Sequence, residues 1–292
     1  MTGLTRDVLR VWERRYRLLQ PKRGANRYRT YSDEDVLLLR YLKRELDAGG
    51  SIGELATLGR AELLKRAGAE VASAPSVDQA FAGLLRDLVA TVQPFDRVTF
   101  ERRLNKAVTL GPFEEALHGI LLPLQVQVGE LWHAGQLAVA VEHYVTKHVQ
   151  QKIFSAMNQL PVMEFGSKVI VACPPGEEHD IAALAVAYHC RLRGCRVHFL
   201  GANVPVASLA QLCGHVTPDL TLMSVPIALP DAHAQALVDS LSHDVVPISR
   251  LASGGEGARA MRELLAGSPI ALLEDFQELD HALDRIAHGS GL

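Results

Sequence analysis

Val169-Ile170-Val171-Ala172-Cys173-Pro174-Pro175-Gly176-Glu177-Glu178-His179-Asp180 decides how this chain is read. An apolar, β-branched run stops at Pro-Pro-Gly, and a helical pattern follows over 179–193. In an open α/β sheet such a turn is the carboxyl end of the first strand, where ligands bind at the topological switch point. His179, at the mouth of the helix, is then either a ligating imidazole or an exposed loop histidine, one of 12 in the chain. The loop by itself leaves both readings open.

Beyond Gly166, apolar runs alternate with helical segments. The pattern predicts strands at 168–173, 195–200, 219–225, 244–249 and 270–273. It predicts helices at 179–193, 205–215, 231–242, 256–266 and 276–287. Five β-α units of this length predict a flavodoxin-like (Rossmann-like) doubly wound parallel sheet over 167–292. Its first loop carries His179, its third Ser224-Val225-Pro226 and its fourth Ser253-Gly254-Gly255, all at one end of the sheet. Small residues there leave room for a flat or elongated ligand beside the backbone. No Gly-x-Gly-x-x-Gly or Walker pattern follows any strand, which argues against a nucleotide-phosphate site. His179 also lacks Cys or His partners at zinc-ligand spacing.

Upstream, apolar residues keep a helical period over 77–92, 94–107, 113–133 and 137–160, which predicts a four-helix bundle at 77–162. Turn signals fall at Gln93-Pro94, Gly111-Pro112 and Gly135. One helix ends on Trp132-His133 and the next opens with Glu142-His143. Taken singly, Trp132 fits a core or interface position and the Glu-His pair a solvated face.

Residues 1–50 hold 12 Lys and Arg against seven acids, a balance of +5 in a chain of net charge −3, so the remainder carries −8. A basic head on an acidic body points to a polyanion partner at one end. Thr5 caps a predicted helix to Arg17, with Val8, Leu9 and Trp12 on one face and Arg6, Arg10, Arg14 and Arg17 striped opposite. Such a stripe can lie along a DNA groove. Lys22 to Tyr31 reads as a basic β-hairpin turning near Gly24 to Asn26. Ser32-Asp33-Glu34-Asp35 caps a second helix, Val36 to Ala48, in a capping-box pattern. Gly49 to Ser76 reads as a short helix and an Ala-rich linker, breaking at Ala72 to Ser76.

With 48% hydrophobic and 22% charged residues the composition is globular rather than disordered. The four cysteines form no Cys-x-x-Cys pair, which favours reduced thiols over a disulfide framework. No apolar run approaches the roughly 18 residues of a membrane span, and no signal peptide is recognised, so a cytoplasmic protein is expected.

The head resembles the MerR-type winged helix-turn-helix regulators through Leu9-Arg10-Val11-Trp12-Glu13-Arg14-Arg15-Tyr16 and Arg27-x-x-x-Tyr31-Ser32-x-Glu34-Asp35-Val36. The resemblance implies a DNA-binding domain at 1–70, with Arg10, Arg14, Arg15, Tyr16, Arg27, Tyr28 and Arg29 toward double-stranded promoter DNA. It also implies a supporting helix ahead of this one. The sequence opens instead on Met1-Thr2-Gly3-Leu4, so that helix is expected to be missing.

Glu177-x-His179, Ser224 and Gly254-Gly255 resemble the base-off, His-on pattern of cobalamin-binding domains, with Ala182 where that pattern usually has Gly. The resemblance implies His179 as the lower axial cobalt ligand, Glu177 behind it, and a slot for the nucleotide tail beside Ser224 and the Gly-Gly pair. All three segments together resemble the CarH/LitR-like photoreceptor repressors. That family implies Trp132 and Glu142 over an adenosyl group, with His143 beside them and His133 as the upper ligand after light. It further implies adenosylcobalamin as cofactor, with methylcobalamin the other form, and a dark DNA-bound homo-oligomer, dimer or tetramer, that light dissolves. No catalytic residue is expected. The rival readings are a corrinoid methyl-carrier protein and a cobalamin-sensing regulator without photochemistry.

Overall fold

The computed structural model describes residues 6–19, 21–23, 29–47, 49–73 and 77–288, and the chain divides into two compact units, 1–80 and 81–292. Arg27, Tyr28, the hairpin turn and the opening Met1 to Thr5 lie outside the described residues.

The first unit contains α1 (Arg6–Arg15), β1 (Lys22–Arg23), β2 (Arg29–Thr30), α2 (Asp33–Asp47), α3 (Ile52–Thr57) and α4 (Gly59–Ser73). Trp12 is buried among Leu18, Leu19, Leu38, Leu42 and Leu63, the apolar sides of α1, α2 and α4. Past α1 the chain turns at Arg17, φ +52°, and the Leu18 N–H donates back to the Trp12 carbonyl at 3.3 Å. β1 and β2 pair antiparallel, Lys22 opposite Thr30 and Arg23 opposite Arg29. The capping box at α2 is reciprocal. The Asp35 N–H donates to Ser32 Oγ (3.2 Å), and the Ser32 N–H donates to Asp35 Oδ2 (3.2 Å). Asp35 is fully buried and its Oδ1 accepts from Arg60 Nη1 at 2.7 Å. The same nitrogen donates to the Leu18 carbonyl, so Arg60 ties α4 to α2 and to the segment that follows α1. The expected single short helix and linker of 49–76 is therefore corrected to two helices, α3 and α4, the second packing Leu63 and Ala67 into the core. Helix-forming Ala, Glu and Lys carry α4 through the stretch that composition alone made a linker.

The second unit begins within α5 (Val77–Val92) and continues through α6 (Arg97–Ala107), α7 (Phe113–Ala116), a π-helical turn (Leu117–Leu121), α8 (Leu122–His133) and α9 (Val139–Gln159). α6 starts three residues later than expected because Phe95 turns at φ +53° and Asp96 caps the helix, accepting from the Thr99 N–H at 3.1 Å. The π-turn sits directly ahead of Pro123, whose ring has no N–H and would crowd the carbonyl of a regular α-turn.

There follow β3 (Lys168–Ala172), α10 (Ile181–Leu192), β4 (Arg196–Gly201), α11 (Val206–Val216), β5 (Leu220–Ser224), α12 (Asp231–Asp244), β6 (Leu251–Gly254), α13 (Glu256–Ala260), α14 (Arg262–Ala266), β7 (Ala271–Leu273) and α15 (Phe276–Ala287). The five strands are parallel in the order β4-β3-β5-β6-β7. Alternation along β3 sends Val169 and Val171 to the face covered by α10, α15 and the bundle. Ile170 and Ala172 face α11, α12 and α14. One continuous core thus runs from Leu88, Leu104 and Val149 of the bundle into Val171 and Leu222 of the sheet.

Two sheet expectations are corrected. The strand expected at 244–249 is a turn: the Val245 N–H donates to Leu241 and the Ile248 N–H to Val245. Pro247 there has no N–H for a ladder bond. The fourth strand is the small-residue run Leu251-Ala252-Ser253-Gly254, so Ser253 and Gly254 belong to the strand and Gly255 opens the loop. The helix expected at 256–266 is broken at Met261 into α13 and α14.

Candidate functional site

At the end of β3, the Glu177 N–H closes the Pro-Pro-Gly turn onto the Pro174 carbonyl at 3.1 Å. The turn is braced by Asn203, itself at φ +53° after β4. Asn203 Oδ1 accepts from the Gly176 N–H (2.8 Å), its Nδ2 donates to Glu178 Oε1 (3.1 Å), and its N–H donates to the Glu177 carbonyl (2.8 Å). The Glu177 carboxylate is 4% exposed, and its Oε1 accepts from both the N–H (2.8 Å) and Nδ1 (2.7 Å) of His179. A carboxylate accepts, so Nδ1 donates to it and Nε2 is the nitrogen left facing outward. The His179 ring is 56% exposed, and among the described residues Nε2 has no hydrogen-bond partner. Buried carboxylate, oriented imidazole and free nitrogen form the arrangement that presents histidine to a metal ion. The neighbouring Cys173 thiol is not such a ligand: burial, then the charges of Asp180 and Glu177, push its pKa up to about 12.

Beside this loop a cavity of about 330 Å³ opens between the sheet and α10 and α15. Its walls are mostly apolar, Val171, Leu222 and Ala252 from the strands and Ala182, Ala185 and Val186 from α10, with Arg259, Glu274 and Asp275 also lining it. Ser224, Gly254 and Gly255 line it at the strand ends. Gly255 sits at φ +107°, and a Cβ added there would fall 2.5 Å from the Val225 carbonyl oxygen, so only glycine fits. The slot suits a flat, largely apolar group.

Trp132 and His133 end α8, their rings edge-to-face at 4.5 Å, with Trp132 37% exposed. His133 Nδ1 bonds the Gly129 carbonyl at 3.0 Å, which again fixes the proton on Nδ1 and frees Nε2. At the start of α9, Glu142 Oε2 bonds His143 Nδ1 (2.6 Å) and Oε1 accepts from Thr146 Oγ1 (2.7 Å), which in turn accepts from Gln125 (2.8 Å). Gln150, two turns further along α9, donates to Asp180 next to His179, about 12 Å along the helix axis from Glu142. α9 thus carries Glu142 near its start and, two turns on, the Gln150 that holds Asp180, while Trp132 and His133 lie on α8. Among the described residues, no hydrogen bond or ring contact joins Trp132–His133 to Glu177–His179. Sequence reasoning missed Asn203, Gln150, Thr146 and Gln125, which hold these groups; only Asn203, an Asn able to adopt a left-handed turn after a strand, carried a sequence signal.

In the first unit, Arg14 and Arg15 are exposed in the last turn of α1, and the Arg15 guanidinium lies 5.5 Å from the centre of the half-buried Tyr16 ring. Arg10 lies on α1 and Arg29 on β2, opposite Arg23. Among the described residues no helix is long and apolar enough to cross a membrane.

Residues 1–62 match the MerR HTH family regulatory protein family, and residues 84–154 match the B12 binding domain family. The HTH-type transcriptional repressor CarA of Myxococcus xanthus is 31% identical over 283 residues, 96% of this chain and 92% of that protein. The repressor CarH of the same organism is 34% identical over 227 residues, 77% of this chain and 75% of that protein. Both are repressors rather than enzymes by name. A solved structure, the monomethylamine corrinoid protein of Methanosarcina barkeri, shares the fold at TM-score 0.56 and 15% identity, covering 70% of this chain and 98% of that one. The expected union of a MerR-type head with a B12-binding body is met along nearly the whole length: the chain belongs to the family of the HTH-type transcriptional repressors CarH and CarA.

Proposed function

We propose that this chain is a cobalamin-binding transcriptional repressor that meets DNA through residues 4–50 and senses its cofactor, and light, through 77–292. The observation that carries the reading is the His179 ring, held through Nδ1 by the buried Glu177 with Nε2 free. The donor set fits a cobalt corrinoid: one imidazole nitrogen facing outward, a carboxylate behind it, and a largely apolar slot alongside. Ala182 adds only a methyl group to the slot wall.

In this reading His179 would supply the protein nitrogen to the cobalt, and Ser224, Gly254 and Gly255 would border the nucleotide tail. Trp132 and Glu142 shelter the upper face, Glu142 being fixed by Thr146 and His143. Bound adenosylcobalamin would supply a light-cleavable cobalt–carbon bond. His133, whose Nδ1 is held by the Gly129 carbonyl, would be the residue to offer the cobalt its Nε2 once that bond is cleaved. The bundle's pose over the cofactor is the two-state element that the occupant of the upper site biases. The dark form is a DNA-bound homo-oligomer in cytoplasm, and light releases it. Arg10, Arg14, Arg15, Tyr16, Arg27, Tyr28 and Arg29 supply phosphate and base contacts, so affinity falls steeply with salt.

The test is the absorption spectrum and the size of purified full-length protein with adenosylcobalamin, in the dark and after green light. Bound cofactor, a light-driven spectral change and a smaller particle are expected. Failure to retain cobalamin overturns the reading, and a spectral change without a change in size removes the assembly switch.

A further inference from the structure

At the far end of α10 from His179, three elements of the second unit converge on a group with no part in that reading. Glu114 of α7, His118 of the π-turn and His189 of α10 bring a carboxylate oxygen and two imidazole nitrogens within 4.8 Å of one another. His189 is the centre of it. Its side chain is 3% exposed, and Nε2 bonds Asp280 Oδ1 of α15 at 2.7 Å. Its Nδ1 is buried without a hydrogen-bond partner and faces Glu114 Oε1 at 3.5 Å. With Nε2–H donating to Asp280, Nδ1 is the ring nitrogen left facing the Glu114 carboxylate. A buried imidazole nitrogen without a hydrogen bond, 3.5 Å from a half-exposed carboxylate oxygen, is placed to share a cation with it. Their separation matches the roughly 3.3 Å edge that two ligands with bonds of about 2.0–2.1 Å span at a tetrahedral ion.

We propose that Glu114, His118 and His189 bind a divalent transition-metal ion of the zinc class. Two imidazoles and one carboxylate are ligands suited to zinc, and the exposed side of His118 leaves a fourth position to water. Asp280 orients His189 as the carboxylate behind a metal-bound imidazole. Arg193 competes: its Nη1 reaches Glu114 Oε1 at 3.2 Å while Nε and Nη2 hold Asp280 at 3.0 and 3.1 Å. The ion and the Arg193 guanidinium therefore meet at the same Glu114 oxygen, Oε1. The π-turn supports the assignment, since such turns are frequent where a helix side chain is re-aimed for function. An ion here joins α7 and the π-turn of the bundle to α10 of the sheet domain.

The experiment uses full-length, tag-free protein stripped with a chelator, titrated with Zn²⁺ by calorimetry and with Co²⁺ by absorption. One equivalent of Zn²⁺ is expected to bind and to raise the melting temperature by roughly 5 °C at a hundredfold excess over Kd. His118→Ala and Glu114→Gln, both at accessible positions, are each expected to weaken Zn²⁺ binding at least tenfold while melting like the metal-free wild type. No stoichiometric binding by the wild type overturns the site and leaves a plain ion-pair ring. Binding that survives both substitutions also overturns it. So does binding lost in His179→Ala but kept in His118→Ala, which puts the ion on the loop.

Discussion

The two ends of α10 hold two histidines built to the same plan and put to opposite conditions. His179, just ahead of the helix, and His189, in its last turn, each give one ring nitrogen to a carboxylate at 2.7 Å. At His179 the carboxylate is buried and the ring is 56% exposed; at His189 the ring is 3% exposed and its carboxylate 35%. Turning the pair inside out changes what the free nitrogen is for. An exposed lone pair awaits a large ligand from solvent, while a buried one must be met by something small. The same distance at both ends therefore says little; burial decides.

Breaking the exposed end has the largest expected effect. His179→Ala should lose cobalamin on gel filtration and, under excess cofactor, give a spectrum lacking protein nitrogen on cobalt. The cofactor-free protein should lose about 1–3 kcal/mol, because the buried Glu177 carboxylate gives up its ring partner. A wild-type spectrum from this variant removes His179 from the site. Glu177→Gln should act in the same direction more weakly, lowering cobalamin affinity about 10- to 100-fold, because the amide no longer enforces the Nδ1 proton. Its backbone bond to the His179 N–H can persist, so a titration of cofactor separates loss of orientation from loss of the loop.

How far this contrast could be read from the sequence follows from where each partner lies. Glu177 and His179 are two residues apart behind an unmistakable strand and Pro-Pro-Gly turn, so the exposed end was legible in one stretch. The ring around His189 draws on positions 114, 118, 193 and 280, which no spacing links. The sheet shows the same divide. Val169 to Ala172 announced a strand because it is β-branched and bounded. Leu251 to Gly254 did not, being small, and the apolar Val245-Val246-Pro247-Ile248 drew the assignment to a turn. Apolar density marks burial, not the ladder. Trp132-His133 and Glu142-His143 were legible as pairs, but Gln125 and Thr146, which hold Glu142, are ordinary polar helix residues until folding brings them together.

The buried end should fail in stability. His189→Ala leaves a void against Phe276, whose ring centre is 4.9 Å away, and leaves Asp280 with Arg193 alone. A loss of about 2–3 kcal/mol is expected in chelator-treated protein, read as a lower urea midpoint. Equal stability of His189→Ala and wild type would mean that the ring contributes nothing and that burial at this end is incidental.

The smallest effect tests the charge on that end. Asp280 is partly desolvated, which alone would raise its pKa, but hydrogen bonds from His189 and Arg193 outweigh this and hold it below the ordinary 3.8. A carboxylate with a depressed folded pKa stabilises the fold above the unfolded value, and that contribution disappears as pH falls through the folded value. Asp280→Asn should therefore be less stable than wild type at pH 7, with the gap between their urea midpoints narrowing below about pH 4. A gap that stays constant down to pH 2.5 would show that Asp280 acts through shape, with the amide unable to reproduce its packing, and the two ends of α10 would then differ in burial but not in charge.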